Sequence, residues 1–236
     1  VLQKAQQNLE RGSMISLGAF GGYMVAEFDR PLANAEGYDL IILGNAFATS
    51  AEPGIVMVSR DANQNGIADD RWYEIAGSEY ARSTPNYKIT YYRPEADKDT
   101  LKELKEYIRW SDNQGNSGWV SKNATHLQGY YPAWIDADSL TFKGTLLPTN
   151  SIDKNGDGSY FELKPYEWGY ADNQPNSNEA SCSFDIDWAV DIEGNKVDIE
   201  AIDFIRIHTG TIAADHGQIG EASTEISAIR ALHDET

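Results

Sequence analysis

One short stretch, SRDANQNGIADDRWYEIAGSEY, constrains this chain more than any other. It carries the pattern D-x-[DN]-x-[DN]-G, in which Gly66 permits a sharp turn that gathers three alternate side chains around one point. Ca²⁺ is a hard cation that takes roughly six to eight oxygen ligands, and this turn can supply them. The stretch therefore predicts a calcium loop. The predicted ligands are Asp61, Asn63, Asn65, the backbone carbonyl of Ile67, and Asp69 or Asp70.

This loop departs from the EF-hand pattern. Trp72 occupies the position where an EF-hand has its closing glutamate, and Glu74 comes two residues later. No helical pattern flanks the loop, so we expect an isolated calcium loop between two strands. A plain Asn-Gly turn with solvated acids is the alternative, because Asn, Asp and Gly dominate turns in general.

A second acidic loop follows the same rule in SIDKNGDGSYFELK. Asp153, Asn155 and Asp157 alternate ahead of Gly158. The NGDG segment is also a strong hairpin-turn sequence. A second Ca²⁺ site and a plain hairpin turn therefore both remain open. The candidate ligands are Asp153, Asn155, Asp157, the carbonyl of Ser159, and Glu162.

Composition limits the partners that the chain can bind. Its 236 residues include 19 Lys plus Arg and 37 Asp plus Glu, which gives a formal net charge of −18. Phosphate backbones and anionic lipid surfaces repel such a protein, so we expect no nucleic-acid partner. No apolar run reaches membrane-spanning length, so we expect no membrane insertion. Cys182 is the sole cysteine, which excludes an intrachain disulfide framework. No signal peptide is visible at Val1, and a mature or trimmed chain is expected.

The hydrophobic pattern predicts an all-β, jelly-roll-like β-sandwich with about ten to twelve strands, one amphipathic helix and long loops. Strands are expected at Tyr23 to Phe28, at Tyr38 to Ala46, on both sides of the first loop, and at Ser139 to Leu147. The run Leu40 to Leu43 is apolar on both faces, which is typical of a central strand. The stretch ASCSFDIDWAVD alternates apolar and polar residues, which predicts a strand with Cys182 facing inward.

The single helix is expected in ADKDTLKELKEYIRW, where Leu101, Leu104, Tyr107 and Ile108 have helical spacing. Residues 1–15 are expected to form a linker or a short helix. Residues 16–236 are expected to form one β-sandwich domain.

Aromatic side chains concentrate in two polar regions, which suits carbohydrate binding because sugar rings stack their apolar faces on aromatic rings. The alternative is that these aromatics fill the core, and we expect at least half of the eight aromatics in the two regions to be buried. The candidate ligand-binding residues are Trp110, Trp119, His126, Tyr130, Tyr131, Trp134, Trp168, Tyr170 and, on a separate Gly-flanked loop, His216. Tyr166 completes the eight aromatics.

Signatures of catalysis are absent from the sequence. There is no nucleophile elbow, zinc-protease motif, phosphate-binding loop or Cys-x-x-Cys pair, and no two of the four histidines have metal-ligand spacing. We therefore assign no catalytic residue. A glycosidase would need two carboxylates a few ångströms apart, and a chain with 37 acids leaves that alternative open.

Four long strings carry a resemblance to a known family. They are SLGAFGGYMVAEFDRPLANAEGYDLIILGNAF, EPGIVMVSRDANQNGIADDRWYEIAGSEY, EWGYADN and FDIDWAVDIEGNKVDIEAIDFIRIHTG. From about Ser16 onward the chain resembles cell-surface proteins of gut Bacteroides-type bacteria, which are often lipid-anchored and described as surface or PKD-like proteins. The resemblance implies a jelly-roll-like sandwich, an exported location at the cell surface or in the periplasm, and no catalytic residues. Some similar proteins lie beside outer-membrane uptake systems, including corrinoid ones.

These observations together predict a calcium-stabilised, non-catalytic binding or adhesion module for a carbohydrate or another small ligand. Two alternatives remain open. One is an accessory lipoprotein of an outer-membrane nutrient uptake complex, for glycans or corrinoids. The other is a glycan-active hydrolase that uses a carboxylate pair.

Overall fold

The computed structural model describes residues 2–95, 102–124, 127–215 and 220–233. These residues form antiparallel β-sheets with one α-helix, which confirms the predicted all-β sandwich class. Eighteen strands are present in the described part of the chain, and six of them have only two residues, which leaves twelve longer ones.

The helices and strands have the following bounds. Helix α1 spans Leu2–Glu10, and 3₁₀ helices span Tyr80–Arg82, Glu179–Cys182 and Ile186–Trp188. The first nine strands are β1 Ile15–Ser16, β2 Tyr23–Ala33, β3 Leu40–Leu43, β4 Gly54–Ser59, β5 Trp72–Ile75, β6 Thr84–Tyr92, β7 Leu104–Asp112, β8 Ser117–Lys122 and β9 Ser139–Leu146. The others are β10 Ser151–Asp153, β11 Phe161–Leu163, β12 Ser183–Phe184, β13 Ala189–Val190, β14 Ala201–Thr209, β15 Ala214–Asp215, β16 Gly220–Glu221, β17 Glu225–Ile226 and β18 Ala228–Ala231.

A five-stranded sheet, in the order β13-β5-β4-β14-β2, lies at the centre of the molecule. Paired residues such as Val58 and Ile205 lie on the same face, because side chains directly opposite each other on paired strands point the same way. That face packs against the three-stranded sheet β12-β3-β18 and forms the main core. Strand β3 is the middle strand of this second sheet, which confirms the prediction of a central strand at Leu40 to Leu43.

A third sheet, β8-β7-β6-β9, lies against the other face of the five-stranded sheet. It has its own core, which includes Phe20, Tyr87 and Ile89. The two sheets approach closely at Gly144 on β9, where an added Cβ would lie 2.7 Å from Nε2 of the buried His208 on β14. The five-stranded sheet is therefore covered on both faces, and a cleft remains beside this contact.

The predicted amphipathic helix is wrong over residues 104–110, where the structure has strand β7. A β-bulge between Leu104 and Ile108 explains the misleading pattern. It places the consecutive residues Tyr107 and Ile108 both in the core, so that a strand acquires helical spacing. Residues 96–101 of the predicted helix lie outside the described residues.

The continuous strand predicted in ASCSFDIDWAVD is also wrong, because 3₁₀ helices precede and interrupt its short strands. The Asp185 side chain accepts a hydrogen bond from the Asp187 backbone N–H at 2.8 Å. Asp39 Oδ2 accepts one from the Ile186 N–H at 2.8 Å. These bonds offer the backbone an alternative to sheet pairing. The prediction that Cys182 is buried is confirmed.

We predict that Gly144→Ala destabilises the protein, because the added methyl group would collide with the His208 ring, which packs against Phe20. Overpacking of this kind costs about 1–3 kcal/mol, which lowers the thermal midpoint by roughly 2–12 °C in a domain of this size. Thermal melts of Gly144→Ala and of Ser139→Ala, an exposed position on the same strand, provide the measurement. Equal midpoints for the two variants would contradict the close approach.

Candidate metal centre and the predicted ligand residues

Three carboxylates meet in the interior of the protein. Glu52, Asp172 and Glu225 are 8%, 2% and 8% exposed, and each offers an oxygen within 4.8 Å of the others. Within the described ranges, no other group of three His, Cys, Asp or Glu side chains meets this distance criterion. We call these three residues the carboxylate triad.

Backbone pairing brings the triad together from distant parts of the chain. Glu52 precedes β4, and its N–H donates to the carbonyl of Asp172 at 3.0 Å. Gly54 and Ala171 then exchange two backbone hydrogen bonds of 2.8 and 3.0 Å. Glu225 begins β17, and its N–H donates to Asp172 Oδ2 at 2.9 Å. Main-chain bonds therefore fix Glu52 beside Asp172, and a bond from the Glu225 backbone to the Asp172 carboxylate adds the third member.

The backbone around Asp172 is specialised. Asp172 has φ 50°, a left-handed conformation that is uncommon for a residue other than glycine. Its Oδ1 accepts a hydrogen bond of 2.7 Å from the Asn45 N–H. Gly44 lies so close that an added Cβ would be 2.1 Å from the same oxygen. Only glycine allows the β3 end to approach this carboxylate.

Burial makes the triad electrostatically costly without a counterion. Burial, followed by the nearby charge of Glu225, raises the pKa of Glu52 to about 9. Burial also raises the pKa of Asp172 to about 7, and it raises the pKa of Glu225. No Lys or Arg in the described part of the chain forms an ion pair with the three residues. The site must therefore take up protons or a cation.

The donor set matches a hard divalent cation. Three carboxylates can provide up to six oxygens, and Ca²⁺ and Mg²⁺ both prefer carboxylate and carbonyl ligands. Ser16, Ser223 and Asn45 also hydrogen-bond to the Glu225 side chain, so further oxygen atoms lie at hand. Ca²⁺ fits better than Mg²⁺, because it accepts more oxygen ligands in irregular arrangements.

Sequence reasoning missed this centre because its members are more than fifty residues apart and follow no spacing rule. A weak signal was present. Glu52 directly precedes the apolar string PGIVMV, and Asp172 directly follows the uncharged string WGYA. A charged residue next to such a string has to be paired or coordinated when it is buried with the string.

The first predicted calcium loop connects β4 and β5, as expected. Asp61 folds the loop upon itself by accepting hydrogen bonds from the Asn65 N–H at 3.0 Å and the Gly66 N–H at 2.8 Å. The amides of Asn63 and Asn65 both contact Asp69 Oδ1 at 3.3 Å. Four of the predicted ligand residues thus lie together.

The remaining members of this loop lie around the same turn. Asp70 Oδ2 accepts a hydrogen bond from the Ala62 N–H at 3.0 Å. The Ile67 carbonyl accepts one from the Asp69 N–H at 2.8 Å, and the Ile67 side chain is exposed. These hydrogen bonds place the predicted residues around one turn, but the carboxylates of Asp61, Asp69 and Asp70 do not approach one another within 4.8 Å as those of the triad do, and whether the loop binds Ca²⁺ stays a prediction.

The second acidic loop joins β10 and β11 in an antiparallel hairpin. Asp153 accepts hydrogen bonds from the N–H groups of Gly156 and Gly158, while Asn155 and Asp157 both bond to Ser159. Glu162 instead forms ion pairs of 3.2 Å with Lys154 and 2.6 Å with Lys164. The Lys164 contact lowers the pKa of Glu162. Glu162 therefore forms ion pairs with two lysines, unlike the other predicted ligands of this loop, which hydrogen-bond within the turn.

The structure separates the predicted aromatic residues. Tyr131, Tyr166 and Tyr170 are buried, fewer than the expected half of the eight. Trp119, Trp134 and Trp168 are exposed, and Trp110 and Tyr130 are half-buried. His126 and His216 lie outside the described residues.

Two groups of aromatics remain at the surface. Trp110 and Trp119 line a small pocket of about 50 Å³ that also contains Glu221. Trp168 packs edge-on against Trp188, whose ring packs edge-on against Tyr38, with centroid distances of 4.7 and 5.9 Å. We call Tyr38, Trp188 and Trp168 the aromatic ladder.

The small pocket does not provide the carboxylate pair that a glycosidase needs. Among its described lining residues, Glu221 is the single acid. Burial raises the pKa of Glu221 to about 8, and the nearby charge of Glu225 adds to this effect. One carboxyl group can serve as an acid or a base, but the usual glycosidase mechanism requires two.

We predict that the stability of the metal-free protein falls as the pH rises above 6.5, the ordinary pKa of histidine, because below it the buried His208, whose pKa is lowered to about 3, contributes the opposite trend. The pKa of Glu52 lies near 9 in the folded protein against an ordinary value of 4.5, and that of Asp172 lies near 7 against an ordinary value of 3.8. The folded state therefore binds more protons than the unfolded state between these values, and stability is lost as pH rises through them.

If Ca²⁺ binds at the triad, it has to replace those protons, so its stabilising effect should be small at about pH 5 and large at about pH 8. Thermal melts of chelator-stripped protein with and without Ca²⁺ at both pH values measure this difference. Glu74 and Glu221 also have raised pKa values, so they too lower the stability of the metal-free protein as the pH rises. The readout is therefore the difference in thermal midpoint with and without Ca²⁺ at each pH. A calcium effect of equal size at both pH values would contradict the prediction.

Comparison with known proteins leaves the family open. No protein-family model matches the chain, and a search of curated proteins gives no significant match. The resemblance to surface proteins of gut bacteria thus stays an expectation from the sequence. A functional assignment has to start from the geometry of the carboxylate triad and of the surface aromatics.

Proposed function

We propose that this protein is a calcium-binding module of an exported bacterial protein, located at the cell surface or in the periplasm, that binds a carbohydrate or another small ligand without catalysing a reaction. The observation that carries this proposal is the carboxylate triad. Three buried carboxylates within 4.8 Å of one another need a cation to be stable in their charged form.

Calcium is the cation that the surroundings of the protein would supply under this proposal. Extracellular modules commonly hold Ca²⁺ with modest affinity, and carboxylate-rich sites favour it. The first acidic loop supports the proposal independently, because Asp61, Asn63, Asn65 and Asp69 already converge around one turn. Two sites of different burial would then differ in affinity, and the buried triad would hold its ion more tightly.

The aromatic ladder supports the binding part of the proposal. Tyr38 and Trp168 are 44% and 37% exposed, and Trp188 holds them in a fixed edge-to-face arrangement. Rigid, half-exposed aromatic rings provide apolar surface for the C–H faces of a sugar at little entropic cost. Neighbouring polar groups can then bond the sugar hydroxyls.

The proposed location depends on the resemblance of the sequence to bacterial surface proteins. Within the described residues, no helix has the length and apolar character needed to cross a membrane. A role beside an outer-membrane uptake complex stays a second proposal of the same origin.

The metal part of the proposal is tested with Glu52→Gln and Glu225→Gln. Ca²⁺ at about a hundred times its Kd should stabilise the wild type by about 2.7 kcal/mol, which raises the thermal midpoint by roughly 5–11 °C. Both variants should lose most of this shift. At about pH 8 their metal-free midpoints should equal or exceed that of the metal-free wild type, because a buried amide stays neutral without the proton that a buried carboxylate has to take up on folding.

Glu200→Gln is the matched control, since its side chain is 91% exposed and its ion pair with Arg60 is at the surface. The double variant Asp61→Ala with Asn63→Ala separates the surface loop from the triad. If Glu52→Gln and Glu225→Gln keep the full calcium shift while the loop variant loses it, the triad is not the principal metal site. If metal-free wild-type protein gains no stability from added Ca²⁺, the metal part of the proposal is wrong.

The ligand part is tested with Trp168→Ala. Loss of an exposed stacking ring of the ladder should weaken carbohydrate binding at least about tenfold. Affinity electrophoresis against soluble glycans measures this, with Phe47→Ala as the control at an exposed aromatic residue outside the ladder and outside the predicted ligand-binding residues. Equal retention of the two variants would show that the ladder does not bind the glycan.

A further inference from the structure

A cleft of about 220 Å³ lies between the five-stranded sheet and strand β9. It is smaller than the roughly 300–1,000 Å³ typical of sites for drug-sized ligands, so its occupant must be small. Three neighbouring strands of the five-stranded sheet form the floor of the cleft. Glu74, Met57 and Arg206 lie side by side on β5, β4 and β14, on the face opposite the main core.

The floor places two charged groups on either side of an apolar residue. Glu74 and Arg206 are each one strand away from Met57, so their backbones are roughly 10 Å apart. Thr145 on β9 donates a hydrogen bond to Glu74 Oε2 at 2.5 Å. Arg206 packs its guanidinium over the Tyr23 ring, 4.5 Å from the centroid, and its buried Nε has no hydrogen-bond partner among the described residues.

The rim of the cleft carries further positive charge. Lys143 lines the cleft and is paired in register with Lys88 on β6. Like charges directly opposite each other on neighbouring strands destabilise a sheet unless an anion lies between them. In a chain of net charge −18, this concentration of positive charge is a local exception.

The remaining acid of the cleft is already engaged. Asp191 accepts hydrogen bonds from the backbone N–H groups of Glu193 and Asn195, at 3.0 and 2.8 Å, and from the Asn195 amide. These bonds hold its own turn together. Burial raises the pKa of Glu74 to about 7, so this carboxyl can both donate and accept hydrogen bonds near neutrality.

The walls add apolar and aromatic surface. They include Trp72, Tyr80, Pro85 and Ile192. A site with an apolar floor, aromatic walls, cations at one side and a carboxyl at the other suits an amphipathic ring that bears hydroxyls and a negative charge.

We infer that this cleft is a second ligand site, distinct from the aromatic ladder and the carboxylate triad, and that it binds a small polyhydroxylated monocarboxylate with the chemistry of a hexuronic acid. Arg206 and Lys143 contact the carboxylate of the ligand. Glu74, held by Thr145, bonds its hydroxyls, and Trp72 packs against the apolar face of its ring.

Calorimetric titration of the full, calcium-loaded chain tests this inference. Glucuronate and galacturonate are the probes, and glucose and galactose are their uncharged counterparts. The uronates should bind at least about tenfold more tightly than the neutral sugars, and Arg206→Gln should remove this preference. Lys143→Gln should weaken uronate binding about three- to tenfold, while the control Lys105→Gln, exposed on β7, should bind like the wild type.

If Arg206→Gln does not fold, Lys143→Gln still tests the inference, because Lys143 is exposed and its substitution should not disturb folding. The inference is overturned if uronates and neutral hexoses bind equally, if neither binds at millimolar concentration, or if Lys143→Gln and Lys105→Gln behave alike. None of these outcomes affects the calcium-dependent melting shift, so failure of this inference and failure of the proposed function are distinguishable.

Discussion

The burial of three carboxylates within 4.8 Å of one another is the constraint that organises this protein. Burial raises the pKa of Glu52 and Asp172, which means that the metal-free protein must offset buried charge with bound protons. A divalent cation removes that cost and cross-links three distant segments. It would then act on the fold as a disulfide does in secreted proteins, which matters in a chain with Cys182 as its sole cysteine.

The central sheet explains where the ligand-binding candidates lie. One face forms the main core with β3, while the other face carries Glu74 and Arg206 toward β9. Charged side chains on a covered sheet face are unusual in a purely structural role. The triad lies beside the start of β4 and organises the end of this sheet, and the inter-sheet cleft lies along its outer face. The proposed metal site and the proposed ligand cleft therefore share one framework.

Local sequence signals predicted part of this architecture. The apolar-rich runs in β14 and β3 identified strands, and the loop between β4 and β5 was expected from its glycine and acids. The β-bulge before Ile108 made the hydrophobic pattern of β7 look helical, because reading a strand from its periodicity assumes an uninterrupted ladder of paired residues. The triad has at most a weak signal in the sequence, because Glu52, Asp172 and Glu225 become neighbours through pairings that only the tertiary fold creates.

The central claim is that the triad holds a calcium ion, and the most direct measurement is the number of Ca²⁺ ions bound per chain by equilibrium dialysis. In protein that already carries Asp61→Ala and Asn63→Ala, we expect that one ion persists and that adding Glu225→Gln removes it. If the protein with the loop mutated binds no Ca²⁺, or if Glu225→Gln leaves the count unchanged, the buried carboxylates are neutralised by protons and the central claim is contradicted.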